Sequence, residues 1–114
     1  MATIEATHAS TIAELNDEFR QGNHSLGRIF TTHGVDALSS EDQQELFRLV
    51  RTFDDFNPSN DPYGEHNFGC IKFKGEVFNW KIDYFAPNLI HGSVDPSDLT
   101  KTTRVLTLMH SSEY

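Results

Sequence analysis

At 114 residues and 13.0 kDa the chain has the length of one hydrophobic core, which excludes a two-domain enzyme closing on an interdomain cleft. Seventeen Asp and Glu stand against nine Lys and Arg, a formal net charge of -8. That balance opposes direct nucleic-acid binding and makes a basic protein surface the natural partner.

Cys70 is the only cysteine, so no intramolecular disulfide can form, and its setting between Phe68 and Ile71 predicts a reduced, partly buried thiol. The first eight residues carry neither the positive start nor the apolar core of a signal peptide, and no apolar run reaches about 18 residues. The expectation is a cytoplasmic chain with no membrane span.

Ile12, Leu15 and Phe19 recur at helical spacing, which predicts a helix over residues 10–20 capped by Ser10 or Thr11 and closed by Gly22 and Asn23. Residues 26–35 read as a loop or short strand, because Ile29, Phe30 and the Thr31-Thr32 pair favour extended backbone while Gly34 interrupts it. A second helix follows. Ser40-Glu-Asp-Gln43 has the form of a capping box, and Leu46, Leu49, Val50 and Phe53 make one apolar stripe. Acids precede Arg48 and Arg51 in that helix, the order the helix dipole favours. The helix should stop before Pro58.

Residues 67–73 and 77–85 form a predicted β-hairpin about Lys74-Gly75-Glu76. In its second strand Phe78, Trp80, Ile82 and Tyr84 share one face, and Asn79, Lys81 and Asp83 the other. After a loop carrying Pro87, Gly92 and Pro96, residues 102–110 give another strand, with Leu106 and Leu108 facing inward. The predicted architecture is α+β, with two helices packed on one face of a three- or four-stranded, mainly antiparallel sheet. Residues 1–114 make one compact domain with a short flexible N-terminus, expected as a monomer.

The segment Asp61-Pro-Tyr-Gly-Glu-His-Asn-Phe-Gly69 joins a shaped turn to two carboxylates, a phenol and an imidazole. With Leu15-Asn-Asp-Glu-Phe-Arg20, Gly34-Val35, Trp80-Lys-Ile-Asp-Tyr84, Gly92-Ser93, Asp95-Pro96 and Thr103-Arg-Val-Leu-Thr107, it resembles a small bacterial domain family of unknown function found in chromosomes, plasmids and phages. The resemblance implies no chemistry. Its mobile-element setting implies an accessory role, such as inhibition of a host nucleic-acid-binding or defence protein.

Residues 36–65 hold eight acids against two arginines, most of the chain's excess negative charge. Glu41, Asp42, Glu45, Asp54, Asp55 and Asp61 are therefore the candidate interaction residues, facing Lys and Arg clusters on a partner. A solvated face that keeps the chain soluble explains the same run without a partner. The catalytic alternative is a small hydrolase centred on Glu65 and His66, with Asp83 in support and Tyr63 near the entrance. Because neighbours in a strand point to opposite faces, Glu65 and His66 act together only if a turn redirects them. His66, Asp83 and His91 follow no metal-ligand spacing, and no phosphate cradle or dinucleotide fingerprint occurs, so neither metal nor cofactor is expected.

Overall fold

A computed structural model describes the backbone of residues 4–114 and the side chains from residue 9. Helix α1 (Ile4–Arg20) leads into strand β1 (Gly27–Thr31), a single-turn helix α2 (His33–Asp36) and helix α3 (Ser40–Arg51). Strands β2 (Phe68–Phe73), β3 (Glu76–Phe85) and β4 (Thr103–His110) follow a long polar connection. The four strands lie in the order β1-β4-β3-β2. Both β2-β3 and β3-β4 are antiparallel, whereas β1 runs parallel to β4. The α+β class and the mainly antiparallel sheet agree with the sequence reading.

The hairpin turns on two residues, not three. Lys74 and Gly75 have φ of 50° and 80°, and Glu76 already pairs with Phe73. Two successive left-handed residues match the right-handed strand twist, as a type I′ turn requires. Gly69 lies opposite Trp80, and a Cβ there would overlap the indole Nε1 and sit 2.9 Å from Phe53 Cζ. The glycine is what lets Trp80 lie flat over β2 at 0% exposure.

Phe78, Trp80, Ile82, Leu106 and Leu108 are buried with Ile71 and Phe73, and Phe19, Val35, Leu46 and Val50 complete the same cluster. Leu49, Phe53 and Tyr84 pack against it half-buried. Leu15, expected in the core, is only half-buried, because the inward face of α1 is Ile12, Ala13, Asn16, Phe19 and Arg20. Polar residues take positions where an apolar stripe was anticipated.

Two local expectations need correction. Helix α1 begins at Ile4, so Ser10 and Thr11 lie within it instead of capping it; Ala6, Ala9 and Ala13 favour the extra turns. The expectation of a short flexible N-terminus falls on residues that lie outside the described ones. Cys70 is exposed, because Gly69 and Ile71 on either side point inward and strand alternation sends the thiol out.

The cap of α3 is Ser39, whose hydroxyl accepts from the Asp42 amide at 3.1 Å, not Ser40. Gln43, assigned a capping-box role, instead donates to the carbonyls of Asp36 and Leu38. Ser39→Ala should therefore destabilise the protein by about 1 kcal/mol and Ser40→Ala by a few tenths at most, read from urea unfolding. Equal effects would contradict this cap assignment.

Candidate functional site

Helix α1 carries Asn16, Asp17 and Arg20 on one turn, spaced so that all three reach toward the 61–67 loop or the sheet. Asn16 is fully buried and nearly saturated. Its amide nitrogen donates to the Glu65 carbonyl at 2.9 Å and to the Tyr84 hydroxyl at 2.8 Å, and its oxygen accepts from Arg104 Nε at 2.7 Å. Tyr84 in turn donates to Glu65 Oε1 at 2.9 Å.

Arg104, at 0% exposure, also donates from Nη2 to the Pro96 carbonyl at 2.7 Å and lies 5.5 Å from the centre of the Tyr84 ring. Burial lowers the pKa of this guanidinium, and Tyr84 and Glu65 oppose that shift. An arginine nonetheless stays charged. A buried cation and a carboxylate are thus linked through one amide and one phenol.

The second chain of contacts starts from Arg20. Its Nη1 donates to the carbonyls of Val50 and Arg51 at 3.0 and 3.2 Å, holding the negative end of α3, while Nη2 meets Asp17 at 2.8 Å. The guanidinium lies 5.2 Å from the Trp80 ring centre and 5.5 Å from that of Phe56. Asp17 then faces His66, whose Nδ1 is 3.0 Å from both carboxylate oxygens. The His66 ring stacks on Phe56 with centroids 4.0 Å apart.

Asp61 shapes the loop from within. Its carboxylate, 6% exposed, accepts from the amides of Glu65 and His66 at 3.1 and 3.2 Å, and His66 adopts φ 55°. That left-handed residue is the turn that sends Glu65 toward Tyr84 and His66 toward Asp17. No hydrogen bond joins Glu65 to His66 among the described residues; each has its own partner on or beside α1.

Asp83 points from the other side of β3, 44% exposed and 3.0 Å from Lys81, so it does not join them. Tyr63 is 79% exposed, and His91 is an exposed partner of Asn88. Among the described residues no group of three or more His, Cys, Asp or Glu is placed to hold a metal ion.

The acidic candidates divide by geometry. Asp42 pairs with Lys74 at 2.8 Å, Glu45 makes a two-point contact with Arg48, and Asp61 is turned inward. Arg48 hydrogen-bonds Glu45 and lowers its pKa. Glu41, Asp54 and Asp55 are exposed, and their side chains make no ion pair or hydrogen bond with another described residue.

Sequence reasoning found Asp61, Glu65 and His66 but missed Asn16, Asp17, Arg20 and Arg104, which hold them. The available signal was three polar residues at helical spacing beside Ile12 and Phe19.

The chain belongs to the DUF3768 family of proteins of unknown function, whose model matches residues 31–113. The match includes the loop, the hairpin and Arg104, and stops short of Asn16, Asp17 and Arg20. Comparison with curated proteins and with solved structures gave no match. No helix among the described residues is long and apolar enough to cross a membrane.

Tyr84 supplies a test of the network. Burial, with the Glu65 carboxylate adding to it, raises its pKa far above the ordinary phenol value of about 10, while Asn16 pulls the other way. Above about pH 10 the unfolded chain therefore releases this proton before the folded one does, so Tyr84's contribution to stability is intact below that pH and is lost as pH rises through it. Tyr84→Phe should cost about 1–3 kcal/mol at neutral pH by stranding Asn16 and Glu65, and should reduce the alkaline loss. The difference in phenolate absorbance between native and Tyr84→Phe proteins should develop only with unfolding; development in the folded state near pH 10 would contradict the assignment.

Proposed function

We propose that this protein is a noncatalytic interaction module that presents Glu41, Asp54 and Asp55 to a basic surface of another protein. The observation supporting this reading is the state of the two aspartates. They lie just beyond the negative end of α3, exposed and without a cation, where the helix dipole disfavours them. Arg20 already occupies the last carbonyls of that helix, and Arg51 in its last turn forms no ion pair with either aspartate.

A partner's Lys or Arg cluster would relieve this repulsion and be steered by the regional field. Twelve helical residues separate Glu41's end of α3 from that of Asp54 by about 18 Å, a span for a macromolecular surface and not for a small cation. Asp42 and Glu45 lie between and join the surface once Lys74 and Arg48 exchange partners. In narrower form, the module acts in the bacterial cytoplasm as a mobile-element inhibitor of a host nucleic-acid-binding or defence protein, a reading supported by the family resemblance and the net charge.

Glu41→Gln/Asp54→Asn/Asp55→Asn should fold with a nearly unchanged Tm, since relief at the two aspartates offsets the loss of the Glu41 charge from the first turn of α3. A basic partner captured repeatedly from bacterial lysate and then purified should bind the native chain, with affinity falling at least tenfold in the variant and falling further with salt. Absence of a charge-dependent partner would sink the surface assignment. Tight binding to nucleic acid at roughly physiological salt would replace the partner class.

One observation favours a hydrolytic reading of the loop: Asp17 holds Nδ1 of His66 at 3.0 Å, as an orienting carboxylate holds a general base. Asp17, not Asp83, would be the supporting acid. Turnover in a broad substrate panel, abolished by His66→Ala and by Asp17→Asn with folding retained, would establish this reading. Lack of reproducible turnover across the panel would remove it.

A further inference from the structure

We infer that the groove between β1 and α3 binds a small organic anion with an apolar body, such as an aryl or medium-chain carboxylate. The groove encloses about 560 Å³, within the range of small-molecule sites. Its floor is apolar. Val50 and Leu106 are 2% and 1% exposed beneath it, and Ile29 and Phe47 form its sides.

The lining includes Arg20, Arg51 and His24 but no carboxylate, although acids outnumber bases seventeen to nine in the chain. Helical spacing produces that segregation. Ser40, Gln43, Gln44, Phe47 and Arg51 lie along the stripe of α3 that faces the groove, while Glu41, Asp42 and Glu45 fall off it. At this acidic helix, the positions that would repel an anion carry amides instead.

The donors differ in how far they are committed. Arg20 is taken up by Asp17 and the α3 carbonyls, so it contributes its field more than its N–H groups. Arg51 and Gln44 are exposed, and their side chains have no hydrogen-bond or ion-pair partner among the described residues. A carboxylate at the rim would take a forked contact from Arg51 and a hydrogen bond from Gln44, with its apolar body laid over Val50 and Leu106. An inorganic anion would leave that floor wet, and a cation would meet only positive charge. The groove uses none of the carboxylates proposed to meet a protein partner, so the two readings stand or fall separately.

The test is a fluorescence titration of the full chain with 8-anilinonaphthalene-1-sulfonate. The same rings without charge, as N-phenyl-1-naphthylamine, serve as comparison, and octanoate as competitor. The expected result is saturable single-site binding of the sulfonate, displaced by octanoate and weaker for the neutral amine. Arg51→Glu should weaken it at least tenfold and Gln44→Glu measurably, both at exposed positions where circular dichroism will verify an unchanged fold. No saturable binding, equal affinity for the neutral amine, or binding indifferent to both substitutions would overturn the proposal.

Discussion

The hydrogen bond from Arg104 to Asn16 joins residues 88 positions apart, and the arrangement of the molecule turns on it. A fully buried guanidinium needs acceptors, and removing a partner from a buried charge typically costs about 3–5 kcal/mol. Here the acceptors are an α1 side chain at Nε and the Pro96 carbonyl at Nη2, with Nη1 buried without a hydrogen-bond partner, so anchoring one cation fixes the helix and the 86–101 loop against β4. Asn16 passes the constraint on. By donating to Tyr84 and to the Glu65 backbone, it places the 61–67 loop over the sheet, where Asp61 and a left-handed His66 hold its shape. Strain at such a residue persists only where surrounding contacts over-determine it, and these do.

How much of this was legible follows from the kind of signal each element carries. Helix α3 and the β2-β3 hairpin announce themselves, because burial of one face imposes a period of 3.6 or 2 on the apolar residues. The parallel β1 does not. Ile29, Phe30 and the Thr31-Thr32 pair suggest only a loop or short strand, because its burial is slight, and its pairing with β4 spans about 75 intervening residues, so nothing local reports the partner. Asn16, Arg20 and Arg104 were illegible for a different reason: a polar residue counts as outward-facing in any hydrophobic pattern, and only the distant partner that satisfies it reverses that reading. The same blindness placed Leu15 in the core. Asp61, Glu65 and His66 stood out by density and turn chemistry, but the sequence had no means of showing that each is engaged by α1 or by its own loop.

Helix α3 is where the fold meets both proposed binding surfaces. Leu46 and Val50 face the core, Glu41 and its acidic neighbours face one side, and Gln44, Phe47 and Arg51 face another. One amphipathic element thus offers two chemically opposed surfaces, kept apart by helical geometry alone. Arg20 couples them mechanically, since it binds the last carbonyls of α3 from within and touches Trp80 and Phe56 in the core. The rigidity of either surface therefore depends on the polar network of α1.

Native-state amide hydrogen exchange of the wild-type chain tests that dependence most directly. If Asn16, Asp17 and Arg104 hold the 61–67 loop, the amides of Glu65 and His66 should open with the same free energy and denaturant dependence as those of Trp80 in β3 and the last turns of α1. Exchange of the loop amides through small, denaturant-independent openings, while β3 and α1 stay protected, would show that the loop folds apart from the network and would contradict the account.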